Sequence, residues 1–382
     1  MNDTLGHHIG DLLLQEVARR LADCVRETDT VGRLGGDEFV VMLEDLSEVP
    51  EVAASQAKAV AEKILASLAI QCKLDGHQCR SGSSIGITVF GENEKGVSEI
   101  LQQADIAMYQ AKATGRNTIS VFVPELRAAV VARASAEEEL RRAIEDSQFV
   151  LHYQPQVEDG RLTGAEALLR WDHPNRGIVF PGEFIPLAER TGLILPLGNW
   201  VLESACKQLA TWKSEERTAN IKVAVNISVR QMSHPDFVGE VLSTLARTGA
   251  NPMNLRLELT ESMFVERFEE IIRKMTALKA YGIKFSIDDF GTGFSSLSYL
   301  KRLPIDQLKI ERTFVHDIVG NTSSGAIAES IILLSRALGL SVIAEGVETE
   351  AQRESLVRLG CSSFQGWLIS QALPVQEFQA MC

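Results

Sequence analysis

From residue 149 onward the chain alternates between short apolar runs and longer stretches whose apolar positions recur every three or four residues. The short runs predict strands over 149–156, 164–171, 222–227, 255–259, 283–288, 307–310, 341–344 and 362–364. The longer stretches predict amphipathic helices between most of them, among them 183–191, 197–214, 237–248, 264–280 and 326–338. Eight strands with intervening helices over about 240 residues have the size and rhythm of a (β/α)8 barrel. The first two strands are separated by only a few residues around Asp159 and Gly160. That is too short for a parallel crossover, so they should pair antiparallel, a local departure from the standard barrel.

The N-terminal third reads as a different, mixed α/β pattern. Leu12, Leu13, Leu14, Val17, Leu21 and Val25 fall at helical spacing within 10–27. A strand over 31–34, the turn residues Gly35, Gly36, Asp37 and Glu38, and a strand over 39–43 predict a hairpin with two carboxylates at its tip. An Ala-rich helix over 52–68, a strand over 83–90 and a helix over 97–114 follow, with Lys112 and Arg116 in and just past the last turn. Residues 124–146 are helical and charged, Glu137, Glu138 and Glu139 preceding Arg141 and Arg142. They read as an inter-domain helix with solvated i,i+4 pairs, a partner-binding surface being the sharper alternative.

Composition narrows the functional classes. At 382 residues and 45% apolar content, the chain can build two domains with full cores. No run of 18 apolar residues and no basic-then-apolar leader is present in it. The six cysteines lack metal-finger or C-x-x-C spacing and read as reduced thiols of a cytoplasmic protein, although a longer parent could be membrane-anchored. A net charge of −13 argues against DNA as the main partner. A small phosphate ligand held through metal ions stays open.

The chemistry concentrates at the ends of the predicted barrel strands, where catalytic groups of such barrels sit. Ile283, Phe285 and Ile287 alternate along one strand, which ends in Asp288 and Asp289 ahead of a Gly291-x-Gly293 turn. Other strand ends carry Asn226, Glu258, Lys309, Glu345 and Gln365, while Glu166 lies inside the second strand with Arg170 four residues on. One such acid is unremarkable, and 23% of the chain is charged. Acids closing nearly every strand are costly to bury without cations, and bound metal is the natural compensation. The candidate ligands are all oxygen, which favours Mg²⁺ or Mn²⁺ over Zn²⁺. Two hard metals can activate water and neutralise a phosphodiester. Lys309 could position that water, Glu345 could ligate metal or act as base, and Arg170 could grip a phosphate oxygen. The bland readings are a core-edge lysine paired with Asp288 and a surface arginine ion pair.

The run Glu166-Ala167-Leu168-Leu169-Arg170 resembles the signature of the EAL-domain cyclic-di-GMP phosphodiesterases. The resemblance extends from about Leu140 to the C-terminus. It includes Gln154-Pro155, Asn226-Ile227-Ser228, Glu258-Leu259-Thr260-Glu261, Asp288-Asp289-Phe290-Gly291-Thr292-Gly293, Leu308-Lys309-Ile310, Ala344-Glu345-Gly346-Val347-Glu348 and Gln365-Gly366. It implies a two-metal site on Glu166, Asn226, Glu258, Asp288, Asp289 and Glu345. Catalytic duties would fall on Glu345, Lys309, Glu166 and Asp289, with Lys309 at the hydrolytic water. Substrate would meet Gln154, Arg170 and Gln365. Glu261 would brace the loop from Asp289 to Ser296, which in the family couples the metals to a homodimer. Glu311 departs from the family pattern, standing where Asp is usual.

The N-terminal region resembles a GGDEF diguanylate cyclase domain, with Gly35-Gly36-Asp37-Glu38-Phe39 intact. The resemblance assigns Asn2 and Asp11 to the guanine base and Lys112 and Arg116 to phosphates of GTP. Arg26 and Asp29 form an R-x-x-D run that matches the family's inhibitory product site; an ordinary Arg–Asp pair is the alternative. The strand that carries a metal-binding Asp in related domains has no counterpart after Met1, so this chain as written is expected to make no cyclic-di-GMP. The expected organisation is an α+β GGDEF domain lacking its first strand over 1–122, a helical linker over 123–143, and a modified TIM barrel with one antiparallel strand over 144–382. The leading functional expectation is metal-dependent hydrolysis of cyclic-di-GMP to linear pGpG. The alternatives are a cyclase or bifunctional enzyme in a longer parent, and a non-catalytic receptor for cyclic-di-GMP or GTP.

Overall fold

The structure is a computed structural model that describes residues 7–79, 81–91, 96–115, 117–264, 267–291, 300–320 and 322–382. The chain divides into two compact units, Met1–Ala136 and Glu137–Cys382. No helix among the described residues is long and apolar enough to cross a membrane.

In the first unit the helices His7–Cys24 and Pro50–Ala69 bury a stripe of Leu21, Cys24, Ile64 and Leu68. Strands β1 (Thr30–Gly35) and β2 (Glu38–Met42) form the antiparallel hairpin expected, and Val31, Phe39 and Val41 pack on that stripe. Strands β3 (Cys72–Leu74) and β4 (His77–Cys79) make a second small hairpin that the hydrophobic pattern did not signal. The strand expected over 83–90 shortens to β5 (Ile85–Ile87), paired in parallel with β6 (Ile119–Val121). Gly86 explains the tight seating of β5 on the helix Val97–Ala113. A Cβ there would lie 2.1 Å from the Ala104 carbonyl oxygen. Among the described residues the β1–β2 and β5–β6 pairs remain separate sheets.

The helix Pro124–Glu145 carries the expected solvated pairs, Arg141 with Glu137 at 3.4 Å and Arg142 with Glu138 at 3.0 Å. Its Leu140 and Ala143 are fully buried.

In the second unit β7 (Phe149–Glu158), β8 (Arg161–His173), β10 (Lys222–Asn226), β11 (Leu255–Thr260), β12 (Lys284–Phe290), β13 (Gln307–Ile310), β14 (Ser341–Ala344) and β15 (Ser363–Gln365) close into a barrel. The ring is completed by pairing of β8 with β10 and of β15 with β7. A short β9 (Gly177–Val179) flanks β8 outside the ring. Strand β7 runs antiparallel to both neighbours, and the other pairs in the ring are parallel. The Asp159–Gly160 turn forces this, because both residues take positive φ and reverse the chain at once.

The strand pattern now has a clear meaning. One parity, as in Leu255, Leu257 and Leu259 or Phe285 and Ile287, is wholly apolar and buried. The other parity, as in Arg256 and Glu258 or Gln307 and Lys309, lines the barrel interior with polar groups. The outer wall is closed by aromatic packing. Trp212 and Phe378 stack with centroids 5.2 Å apart, and Tyr153 tilts against both.

Candidate active site

Lys309 lies at the centre of the C-terminal mouth of the barrel and is fully buried. Its Nζ is 2.5 Å from Glu345, 2.6 Å from Glu258, 3.4 Å from Asp288 and 3.5 Å from Glu166. These five groups come from β8, β11, β12, β13 and the turn after β14, brought together only by barrel closure. Burial alone would strip the ammonium of its proton, but the four surrounding carboxylates hold its pKa well above the ordinary lysine value. The charged ammonium is thus the form its surroundings favour.

One ammonium does not balance four acids. Burial pushes the Glu258 carboxyl up to about 7 and Glu345 well above the usual carboxylate range. Glu166 goes the other way: burial raises it, but Lys309 and the amides of Gln365 and Asn226 bring it below the ordinary value. Both Glu166 oxygens are occupied, Oε1 by Asn226 Nδ2 and Oε2 by Gln365 Nε2, each at 2.6 Å. Gln365 also donates to Gln154 Oε1 at 3.1 Å, so the two substrate-side amides expected from the sequence share one network with Glu166.

A β-bulge between Ile287 and Phe290 sets the Asp288–Asp289 pair. Consecutive residues of a regular strand point to opposite faces. Here Asp289 takes φ 53°, and its amide donates to Asp288 Oδ1 at 3.0 Å. Burial and the neighbouring Asp288 raise the Asp289 pKa. Asp288 turns inward to Lys309, while Asp289 lies on the exposed side.

Above the acids lies a cavity of about 190 Å³, lined by Gln154, Glu166, Asp288, Glu345 and Gln365 among others. Sequence reasoning missed two of its walls. Arg312 pairs with Glu348 at 2.6 Å and lies over the Trp367 ring at 5.2 Å. Their only signal was position, just past the ends of β13 and β15. Arg170 does not line this cavity; its guanidinium donates to the Leu169 carbonyl at 2.8 Å and lies over Phe180. Glu311 precedes a short helix, Arg312–His316, and accepts a bond from Thr313. Glu261 Oε2 accepts the Gly291 amide at 3.2 Å, while its Oε1 is buried with no partner among the described residues. Thr292, Gly293 and Ser296 of the expected braced loop fall outside the described residues.

The donor set suits a hard divalent cation, because it is all oxygen and carries a buried excess of negative charge around Lys309. Among the described residues, however, no three or more His, Cys, Asp or Glu side chains are gathered ready to hold a metal. The four acids meet at the Lys309 ammonium, within 3.5 Å.

In the N-terminal unit the carboxylates of Asp37 and Glu38 stand exposed at the hairpin tip, beside Gly35 and Gly36. Gly36 takes φ 53°, and its carbonyl accepts Arg33 Nε at 3.1 Å and NH2 at 2.6 Å. Asp11 and Lys112 are exposed on two helices. Asn2 and Arg116 lie outside the described residues. Asp29 accepts the backbone amides of Arg26 at 2.8 Å and Glu44 at 3.1 Å, which hold its carboxyl below the usual range. One oxygen thus closes the local turn, and the other ties that turn to the segment after β2.

Comparison with known proteins matches residues 137–372 to the profile described as EAL domain. The chain belongs to the EAL-domain family. Residues 1–118 match the profile described as diguanylate cyclase, GGDEF domain. Over 382 residues the chain is 43% identical to the bifunctional diguanylate cyclase/cyclic di-GMP phosphodiesterase MucR of Pseudomonas aeruginosa, covering 100% of this chain and 55% of that protein. It is 36% identical to the cyclic di-GMP phosphodiesterase PdeR of Escherichia coli, covering 99% of this chain and 56% of the relative. Among solved structures, the phosphodiesterase of Pseudomonas aeruginosa MucR in complex with c-di-GMP matches with a TM-score of 0.62 and 46% identity. That match covers 64% of this chain and 99% of the other. The chain spans about half the length of the curated relatives it matches. The EAL assignment agrees with the closed eight-stranded barrel.

Proposed function

We propose that this chain hydrolyses cyclic-di-GMP to linear pGpG at the C-terminal mouth of the barrel, using Mg²⁺ or Mn²⁺. The observation that carries the reading is the buried Lys309 with its four acids at the floor of a cavity lined by Gln154 and Gln365. EAL family membership and relatives named as cyclic di-GMP phosphodiesterases support it. Glu166, Asn226, Glu258, Asp288, Asp289 and Glu345 would hold the metal pair. When bound, such metals lower the pKa of a water and offset phosphodiester charge.

The chain's own residues supply the rest. Lys309, kept charged and immobile by its four acids, donates to the attacking water or to a non-bridging phosphate oxygen. Glu345 lines the cavity beside Lys309, where it is placed to take up the proton released. The amides of Gln154 and Gln365 orient the dinucleotide. Arg312 stacked on Trp367 offers a cationic and aromatic wall for a guanine base. Water attack on one phosphorus breaks one P–O3′ bond and opens the ring, and the proton taken from the water passes to the departing O3′, which leaves as a hydroxyl. Two copies would associate through their barrels.

The test is incubation of the purified chain with cyclic-di-GMP and Mg²⁺ or Mn²⁺, beside Glu166→Ala and an EDTA-treated sample. Linear product from the unmodified chain alone supports the proposal. Binding without product under all metal conditions would replace it with the receptor reading.

A further inference from the structure

A second cavity, of about 170 Å³, opens at the N-terminal mouth of the same barrel. Its polar lining includes Arg256, Lys222, Thr163, Gln307 and Ser363, together with the exposed carboxylate of Glu158. At about 30 Å³ per water, the space would hold several waters or one small polyatomic ion. Its lining follows from the strand pattern. Arg256 precedes Glu258 by two residues on β11, and Gln307 precedes Lys309 by two on β13. On β7 and β15 the two cavities share one inward-facing parity, Gln156 lying below Gln154 and Ser363 below Gln365. In barrels of this kind catalysis belongs to the opposite, C-terminal mouth, so the reaction gives this layer no role.

Two cations here lack the partners that cations in such positions normally have. Arg256 Nε is buried with no hydrogen-bond partner, and the guanidinium bonds instead to the neutral amide of Gln307. Among the described residues neither Arg256 nor Lys222 forms an ion pair. The other acids near Arg256 are already used: Asp306 by Lys279 and Lys284, and Glu258 by Lys309. Burial lowers the Arg256 pKa, although a guanidinium stays charged at any physiological pH. With Glu158 counted, the lining keeps one positive charge in excess. Glu158 acts on Arg256 only from beyond ion-pair distance, and an arginine buried without a directly paired carboxylate is costly unless an anion completes it. The Ser363 hydroxyl also borders the space, while those of Thr163 and Ser341 donate to the Gln156 and Asp306 carbonyls.

We propose that the N-terminal mouth of the barrel is a binding site for a phosphate-sized oxyanion, held by the Arg256 guanidinium and the Lys222 ammonium. The site is independent of the hydrolytic reading, because none of its lining residues belongs to the upper cavity.

The test is thermal unfolding of the whole chain in EDTA, titrated with inorganic phosphate against sodium chloride at matched ionic strength. Chelation keeps phosphate from binding through metal at the other mouth. The expected result is a saturable rise in midpoint with phosphate and not with chloride. Lys222→Gln and Arg256→Gln should each weaken the apparent affinity at least about tenfold, the scale of one lost charge-assisted hydrogen bond. Arg256→Lys should recover part of it. If Arg256→Gln fails to fold, Lys222→Gln decides alone, since Lys222 is exposed and removing it opens no core. No saturable response in the unmodified chain, or an unchanged affinity in Lys222→Gln, overturns the proposal.

Discussion

Lys309 Nζ and Glu258 Oε2 lie 2.6 Å apart with both side chains almost wholly withdrawn from solvent. Glu258 also accepts the Ser286 hydroxyl at 3.3 Å, so neither partner can turn to water if the other is removed. Lys309→Met should therefore leave buried acids with no cation. Hydrolysis is expected to fall at least about a hundredfold, the scale of a lost proton-handling or charge-stabilising group. Stability should fall by about 3–5 kcal/mol unless the acids take up protons. Steady-state kinetics and urea unfolding of the variant measure both; near-normal turnover would remove Lys309 from the mechanism.

Glu261 acts at a distance from the acids. It holds the Gly291 amide, immediately past the strand that carries Asp288 and Asp289. Glu261→Ala should reduce kcat about tenfold or more while keeping every proposed ligand, because the bulged strand end loses an anchor worth about 1.5–3 kcal/mol. Raising the metal concentration should recover part of the loss if the anchor works by positioning ligands. Activity indistinguishable from the unmodified chain would show that the bond to Gly291 is incidental.

Asp306 ties the start of β12 to the segment before β13. It accepts the Phe285 amide at 3.0 Å and sits 3.1 Å from both Lys279 and Lys284. Burial alone would raise its pKa, but the amide and the two ammonium groups outweigh it and leave it below the ordinary value. A carboxyl depressed on folding adds stability that is fully present above its unfolded value, about 3.9, and is lost as pH falls through the lower folded value. The stability gap between the unmodified chain and Asp306→Asn should accordingly be flat from neutral pH to about 5 and shrink below about 4. Chemical unfolding across that range tests it, and a gap that widens on acidification would reverse the sign.

Phe378 reaches from the last helix, Val375–Met381, to stack on Trp212 and touch Tyr153. The segment before that helix is pinned by the reciprocal bonds Tyr153 N to Leu373 O at 2.7 Å and Leu373 N to Tyr153 O at 3.0 Å. Phe378→Ala should cost about 3–5 kcal/mol, because the side chain is wholly buried and its neighbours are rigid aromatics. Differential scanning calorimetry should show this as a lower unfolding temperature. The loss of stability should come with little change in kcat, since the ring contacts of Phe378 are with Trp212 and Tyr153 on the outer wall.

Much of this protein was legible in its residue order. Apolar alternation located the barrel strands, because a two-residue period is a local property of extended chain. The few residues around Asp159 and Gly160 fixed the antiparallel start, since no crossover fits in that length. The EAL and GGDEF motifs marked the family. Chemistry-bearing residues such as Glu166, Glu258 and Asp288 stood out because carboxylates at strand ends are costly.

Other features exist only once the ring closes. The sequence left Lys309 open between a core-edge lysine and a catalytic one; closure buries it among four acids drawn from separate strands. Asp288 and Asp289 are equivalent neighbours in the sequence, and a β-bulge separates them into inward and exposed groups. Arg312 and Trp367 lie 55 positions apart by their numbers, and only the fold stacks them. The N-terminal mouth, with Arg256 and Lys222, gave no sequence signal at all, because single basic residues on strands are ordinary until an interior surrounds them. Local periodicity fixes which residues form each strand and which face they take. What those faces confront, and hence which charges are compensated and which are not, is settled by long-range closure of the barrel.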